Sequence, residues 1–144
     1  MIQKAESKDL PVLAKLSCQL WPNHTPEEME AEFAGMIGKT DAAFFLAIMG
    51  KDAVGFAQCQ LRYDYVEGTE SSPVGYLEGI YVAEQLRKNG IARELLVACE
   101  NWAKENGCTE FASDCELGNI QSLQFHLNVG FEEANRIVCF TKKL

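Results

Sequence analysis

Two carboxylates occupy positions where an acidic residue is unexpected without a partner or a function. Glu78 lies in the middle of the apolar run Val74–Val82, and Asp114 directly follows the short segment 110–113. An unpaired carboxylate inside such a strand is costly, so the position implies either a charged partner or a functional role. Beside an amine, a carboxylate can bind the ammonium form or accept its proton. Structural pairing of Glu78 and helix capping by Asp114 are the alternatives.

A basic, glycine-containing turn follows the same apolar run. It consists of Arg87, Lys88, Asn89, Gly90, Ile91 and Ala92. The free N–H groups and the positive end of the dipole at a helix N-terminus favour an anion, and Gly90 and Ala92 let a phosphate approach the backbone closely. The turn can therefore hold a pyrophosphate. Turns of this kind also begin ordinary helices, so the setting decides between the two interpretations.

Four helices are predicted from apolar residues at helical spacing. The second begins at Thr25, because Thr25-Pro26-Glu27-Glu28 is a capping box with proline at the first helical position. Glycines end the second, third and fourth helices. The predicted helices run from about Leu10 to Leu20, Thr25 to Gly38, Asn89 to Asn106 and Asn119 to Asn128.

The remaining apolar segments predict strands. Ala42–Met49 and Val54–Tyr63 flank the turn Gly50-Lys51-Asp52, which predicts an antiparallel pair. The other strands are expected near Ile2, over Val74–Val82, around Glu110–Ser113 and as a last pair within Phe131–Thr141. The predicted order is β-α-α-β-β-β-α-β-α-β-β, and we expect residues 1–144 to form a single domain.

The charge and cysteine content exclude several classes of function. There are 13 basic and 21 acidic residues, giving a net charge of -8, so the basic surface that nucleic acid requires is not expected. The six cysteines form no C-x-x-C pair and no zinc-binding spacing, which favours reduced thiols and no metal. With no apolar signal core and no long apolar run, we expect a soluble cytoplasmic protein without membrane contacts.

Two motifs resemble those of a known family. Arg87-x-x-Gly90-x-Ala92 after a strand is similar to the Q/R-x-x-G-x-G/A turn of GNAT acetyltransferases, which binds the pantetheine-pyrophosphate of acetyl-CoA. The segment Asn119–Phe131 resembles the family's later motif. The resemblance implies an α/β (α+β) GNAT fold, with a mixed central sheet of about six to seven strands flanked by four helices. Acetyl-CoA would then lie in the groove where the central strands splay apart.

The same resemblance implies further contacts to acetyl-CoA. The backbone N–H groups of Ile80, Tyr81 and Val82 would face its carbonyl oxygen and stabilise developing negative charge. Asn119 would be another contact. His126 stands where many members of the family have a tyrosine that is proposed to protonate the departing thiolate. The alternative is that His126 only lines the groove, because a thiol with a pKa of about 8.5 can leave unprotonated.

Five further segments resemble the short, single-domain aminoglycoside 6'-N-acetyltransferases. They are Leu20–His24, Arg62–Val66, Ser71–Val74, Tyr76–Ile80 and Ala112–Asp114. The resemblance implies an aminoglycoside substrate and a homodimer. The positions that would contact the antibiotic are Trp21, His24, Tyr65, Glu78, Asp114 and Asn135.

These residue types suit such a substrate on physical grounds. An aminoglycoside carries several ammonium groups and hydroxyls, so Glu78 and Asp114 would pair with amines while Trp21 and Tyr65 offer flat faces to sugars and cations. Both aromatic residues also have a purely structural alternative. Trp21 would then cap the core face of the first helix, and Tyr65 would be an ordinary loop residue. Glu78 is the first choice of general base and Asp114 the second. Cys115 has no base beside it in sequence, which favours direct transfer without an acyl-enzyme.

Three functions remain open at this point. They are an aminoglycoside acetyltransferase, an acetyltransferase for another small polyamine or peptide amine, and a non-catalytic acyl-CoA-binding sensor. A sensor would need the turn around Gly90 but no acidic amine pocket. Glu78 and Asp114 therefore favour an enzyme, and Trp21 and Tyr65 favour an aminoglycoside substrate.

Overall fold

The computed structural model describes residues 1–144 and contains the four predicted helices. They are α1 (Leu10–Leu20), α2 (Pro26–Ala34), α3 (Ile91–Glu105) and α4 (Ile120–Asn128), together with single 3-10 turns at Ser7–Asp9 and Glu84–Leu86. The Thr25 side chain caps α2 by accepting a hydrogen bond from the Glu28 N–H, as the capping box predicts. None of the four combines the length and the hydropathy needed to cross a membrane.

One mixed sheet forms the centre of the α+β fold. Its strands are β1 (Ile2–Lys4), β2 (Ala42–Met49), β3 (Asp52–Arg62), β4 (Val74–Val82) and β5 (Phe111–Ser113). The strands lie side by side in chain order, antiparallel from β1 to β4, with β5 parallel to β4. Helix α3 lies within the connection from β4 to β5, because parallel neighbours require a crossover.

The sheet is covered on both faces. Alternate residues of β2 point to opposite sides, so Phe45 packs in the cluster with α3, while Phe44 and Leu46 pack in the cluster with α1 and α2. Burial on both sides explains why β2 is an uninterrupted apolar run rather than an alternating pattern. The face under α1 and α2 also carries Phe56 of β3.

The expectation of six to seven strands was wrong, because the sheet has five. The predicted last pair within Phe131–Thr141 does not form, and residues 132–144 have no regular secondary structure and are exposed throughout. Their apolar residues remain in water, with Phe140 89% exposed. The pattern of Ile137, Val138 and Phe140 is that of a strand, but a strand also needs a neighbouring backbone, and this segment has none within the chain.

A bulge in β4 changes the course of this strand at Glu78. The register passes from Gln58 opposite Gly79 to Cys59 opposite Leu77, so Glu78 is an extra residue without a partner on β3. Bulges bend a strand and redirect a side chain. On its other edge β4 pairs with β5 only from Gly75 to Leu77. The half of β4 from Glu78 to Val82 therefore pairs with no strand on its β5 side, and this unpaired edge is called the groove between β4 and β5 below.

We predict that Gly75→Ala destabilises the fold where β4 is in contact with α3 and β5. A Cβ atom at Gly75 would lie 2.6 Å from Ala103 Cβ and 2.7 Å from Phe111 Cδ1. Overpacking of this kind costs about 1–3 kcal/mol. The measurement is urea denaturation at a single protein concentration.

Gly118→Ala is the matched control, because a Cβ atom there meets nothing within 4 Å. It should stay within about 0.5 kcal/mol of the wild type. Equal stabilities of the two variants would contradict the packing assigned to Gly75.

Candidate active site

A cleft of about 230 Å³ lies between the helices α1 and α2 and the strands β3 and β4. It brings together three of the predicted acceptor residues, Trp21, His24 and Glu78. It also contains residues to which the sequence assigned no role. These are Met29, Glu32, Met36, Gln58 and Gln60.

Trp21 enters the cleft because β4 has no side chain at Gly79. A Cβ atom at Gly79 would lie 2.6 Å from the indole Cη2. The indole also packs edge-on against Phe56, with ring centroids 6.1 Å apart. Trp21 therefore has the structural role of packing against the core, and the same ring lines the cleft.

Two amides line the cleft with little bonding of their own. Gln58 is 5% exposed, and its Nε2 has only the Met36 sulfur as a partner, at 4.0 Å. The Nε2 of Gln60 reaches the same sulfur at 3.7 Å. A thioether is a weak acceptor, so both amides keep hydrogen-bonding capacity for a ligand. Strand alternation gives no signal that would single them out in the sequence.

Glu78 has a charged partner, Arg62, which the sequence did not identify. Arg62 Nε donates to Glu78 Oε1 at 3.0 Å and an Nη donates to Oε2 at 2.8 Å. The Glu78 side chain is 18% exposed, so the pair is partly removed from water. These hydrogen bonds raise the pKa of the Arg62 guanidinium above its ordinary value. Each Glu78 oxygen keeps a second lone pair for a further donor.

Tyr76 connects this ion pair to Asp114. The guanidinium of Arg62 lies 3.4 Å from the centroid of the Tyr76 ring, and the Tyr76 hydroxyl donates to Asp114 Oδ2. Burial, together with the bond to Asp114, raises the pKa of the Tyr76 hydroxyl, so it stays protonated and acts as a donor. Arg62, Tyr76, Glu78 and Asp114 are called the Arg62 network below. Asp114 does not cap α4, whose N-cap is Asn119.

Tyr65 and Asn135 lie outside the residues that line the cleft. Tyr65 is 76% exposed, and its hydroxyl accepts from the Gly68 N–H at 3.4 Å. Asn135 donates to Glu67 Oε1 at 3.1 Å, which ties the C-terminal segment to the same loop. Tyr65 thus lies on the loop between β3 and β4, and Asn135 is bonded to the same loop from the C-terminal segment.

His126 connects α4 to β5. Its Nδ1 lies 2.7 Å from the carbonyl oxygen of Ser122, and because a carbonyl only accepts, Nδ1 carries a proton. The Ser113 hydroxyl is 2.8 Å from Nε2 and 3.4 Å from the Leu77 carbonyl oxygen. The shorter contact identifies Nε2 as the acceptor of the Ser113 proton in the neutral ring. Both ring nitrogens are therefore occupied by protein groups.

The turn before α3 has the backbone that the sequence predicts for an anion site. Gly90 is the N-cap of α3 with φ of 83°, and a Cβ atom there would meet nothing within 4 Å. Lys88 is also left-handed, with φ of 65°. The side chains stabilise the turn itself, since Arg87 Nε donates to the Val82 carbonyl at 2.9 Å and Asn89 to that of Leu86 at 3.2 Å. The N–H groups of Ile91, Ala92 and Arg93, at the start of α3, donate to no backbone carbonyl.

The other predicted groove residues have structural roles as well. Ile80, Ile91 and Ala92 pack against the core cluster under α3. Val82 is buried in that cluster, and the Arg87 guanidinium lies 5.7 Å from the Tyr81 ring. Asn119 caps α4 by accepting from the Ser122 N–H at 3.1 Å. On the side that faces β5, residues 80–82 pair with no other strand, although the Val82 carbonyl already accepts a hydrogen bond from Arg87.

The acetyltransferase (GNAT) family model matches residues 10–131. An aminoglycoside N(6')-acetyltransferase type 1 of Serratia marcescens is 41% identical, with the match covering 100% of this chain and 99% of the relative. The enzyme of the same name from Stenotrophomonas maltophilia is 40% identical, with coverages of 99% and 93%.

Solved structures agree with this assignment. The chain superposes on AAC(6')-Iy, in complex with the bisubstrate analogue CoA-S-monomethyl-acetylneamine, with a TM-score of 0.95 at 35% identity, covering 100% of this chain and 98% of the other. The apo aminoglycoside 6'-N-acetyltransferase AAC(6')-IG from Acinetobacter haemolyticus gives a TM-score of 0.94 at 37% identity, with coverages of 100% and 99%.

Proposed function

Because the chain belongs to the GNAT family of acetyltransferases, we propose that it acetylates the 6' amine of aminoglycoside antibiotics with acetyl-CoA and so confers resistance. The observation that carries this proposal is the acidic cleft beside the free half of β4, where Trp21, His24 and Glu78 meet. Relatives that share whole-chain similarity are named for this reaction. A sensor of acyl-CoA would not need the cleft. We propose that residues 1–144 form one catalytic domain.

We propose that acetyl-CoA binds in the groove between β4 and β5. The open space and left-handed backbone at Gly90 allow a phosphate to approach the start of α3, and a 15-residue helix supplies the favourable dipole. Acetyl-CoA supplies the activated thioester when bound. The residues proposed to hold it are Ile80, Tyr81, Val82, Arg87, Lys88, Asn89, Gly90, Ile91, Ala92 and Asn119. For Arg87, Asn89 and Asn119 the side chains also hold the backbone in place, so their loss would act through the fold.

The acceptor side is suited to a polycation. The protein carries a net charge of -8, which favours the approach of a polyammonium ligand. Glu32 and Glu78 line the cleft, and its amides and indole suit the hydroxyls and faces of sugar rings. The proposed antibiotic contacts are Trp21, His24, Tyr65, Glu78, Asp114 and Asn135. Of these, Tyr65 and Asn135 would contact a part of the antibiotic that extends from the cleft towards the β3–β4 loop.

The amine must be neutral when it attacks the thioester. We propose that Glu78 accepts its proton, directly or through a water, with the lone pairs that Arg62 leaves free, and that Asp114 holds an ammonium group. Cys115 makes no hydrogen bond to a histidine or carboxylate, which supports direct transfer without an acyl-enzyme. His126 would protonate the thiolate only when Nε2 carries a proton.

We further propose that the protein is a cytoplasmic homodimer. All six cysteines are unpaired, as is usual in a reducing compartment. Residues Ile137, Val138 and Phe140 are exposed in a segment of strand-like composition, and β5 is a three-residue strand at the edge of the sheet. Pairing of this segment with a second copy of the chain would bury these side chains and satisfy its backbone.

Gly90→Val is expected to weaken the binding of acetyl-CoA at least about tenfold, equal to about 1.4 kcal/mol, because its side chain fills the space next to the α3 N-terminus. Calorimetric titration measures the change. Gly107→Val is the matched control, since Gly107 has φ of 84° and equal open space at the other end of α3. Both substitutions place valine at a glycine with positive φ and so introduce the same backbone strain. A weaker affinity for acetyl-CoA in Gly90→Val than in Gly107→Val is therefore due to the lost ligand contact. Equal affinities would remove the turn from the binding site.

The product is expected to carry its acetyl group on the 6' nitrogen. The protein should release CoA thiol from acetyl-CoA when kanamycin or tobramycin is the acceptor. It should not do so with an aminoglycoside that has a 6' hydroxyl, with spermidine or with a peptide. NMR and mass spectrometry of the product locate the acetyl group. An acetyl group on another ring, or faster turnover of spermidine, would refute the proposed substrate.

Glu78 and Asp114 are expected to differ in kinetics. Glu78→Gln removes a proton acceptor and should lower kcat by roughly 10² to 10⁴. Asp114→Asn removes one charge contact made equally in the ground and transition states, so it should mainly raise KM for the antibiotic. Steady-state kinetics at neutral pH separates the two. Loss of kcat in Asp114→Asn with a nearly normal Glu78→Gln would reverse the roles.

A further inference from the structure

We propose that Arg62 is a resident cation of the acceptor site which destabilises the ammonium form of the amine bound at Glu78, and so favours the neutral nucleophile. The inference rests on the proposed function. Its basis is the two-pronged contact between Arg62 and the carboxylate proposed as the base.

An acidic pocket by itself works against the reaction. An alkyl amine such as that of lysine has a pKa of about 10.4, so it reaches the protein as ammonium at neutral pH. A lone carboxylate next to it stabilises the ammonium further and raises its pKa. Tight binding and proton loss therefore oppose each other wherever the reacting amine meets an unpaired carboxylate.

The geometry of Glu78 resolves this conflict. Arg62 nitrogens lie 3.0 Å and 2.8 Å from its two oxygens. An ammonium that binds either oxygen then lies no more than about 6 Å from a guanidinium nitrogen, because two hydrogen bonds to a shared atom set the limit. Like charges at this separation disfavour the charged form of the amine. The amine gains a hydrogen-bond acceptor from Glu78, while the Arg62–Glu78 pair itself carries no net charge.

Arg62 is held in this position from its other side. Its guanidinium stacks 3.4 Å from the centroid of Tyr76, whose ring is buried and whose hydroxyl bonds to Asp114. A ligand ammonium that displaced Arg62 from Glu78 would have to break this stack as well. The cation therefore stays beside the reacting amine.

The remaining charges around the cleft make the arrangement specific to one amine. Asp114 after β5 belongs to the network, Glu32 of α2 lines the cleft without an ion pair, and His24 pairs with Glu28 at 3.3 Å. Other ammonium groups of a polycation can bind at Glu32 and Asp114, where no guanidinium is paired to the carboxylate.

The direct test uses the wild-type protein. The pKa of the 6' amine of 15N-labelled kanamycin is measured by NMR titration, free and in the ternary complex with CoA. We expect the bound value to lie below the free one, and a bound value equal to or above it would overturn the proposal. This readout does not depend on any variant folding.

Variants then assign the effect to the charge. Arg62→Gln removes the charge but keeps a donor, and its kcat-against-pH profile should move about one unit to the alkaline side. Arg62→Lys keeps the charge and should keep the wild-type midpoint. Arg136→Gln is the matched control, because Arg136 also pairs with a glutamate, Glu133, outside the cleft.

The possible outcomes are distinct. Changes in kcat or KM for Arg62→Gln without a shift in the pH midpoint or in the NMR pKa would show a structural role only and overturn the inference. A wild-type protein that acetylates no aminoglycoside would instead refute the proposed function. A wild-type enzyme that is active, with a bound amine no less basic than the free one, would refute the role of Arg62 alone.

Discussion

The parting of β4 from β5 after Leu77 is the constraint on which the rest of the site depends. Parallel pairing covers only three residues, and the bulge at Glu78 bends β4 at the point where this pairing ends. One local irregularity therefore exposes a strand edge on one side and places a carboxylate in the cleft on the other. Both substrates of an acetyl transfer can then meet across a single strand.

The ion pair of Glu78 and Arg62 follows from this bend. A carboxylate in a half-buried strand needs a partner, and Arg62 at the end of β3 provides it across the strands. Glu78 has a structural and a functional aspect at the same time. The ion pair with Arg62 makes the burial of its carboxylate tolerable, and the same pair determines the charge that a ligand meets in the cleft. Trp21 shows the same double use, because its ring packs on Phe56 and also lines the cleft.

Local sequence patterns predicted most of the fold. Contacts that depend on strand register could not be predicted from the sequence. The helices and the strands from β1 to β4 follow from periodicity, capping residues and turns, all of which act within a few residues. Arg62 and Glu78 are 16 residues apart, and their contact depends on a bulge that no alternation pattern reveals. Gln58 and Gln60 were missed for the same reason, because their relation to Met36 is set by packing of α2 on the sheet.

The prediction of two strands in the C-terminal segment was wrong for a different reason, and this segment also contacts a loop that carries a proposed site residue. Its composition is that of a strand, but strand formation requires a partner backbone, and the chain supplies none. The same segment contacts the loop beside the cleft, where Ala134 lies next to Gly68 and Asn135 binds Glu67. Any partner that pairs with residues 137–140 would also constrain Asn135, which is two residues before Ile137 in the chain. One stretch of backbone thus contains both the bond of Asn135 to Glu67 and the exposed apolar residues Ile137, Val138 and Phe140, so a change in the environment of either part acts on the other.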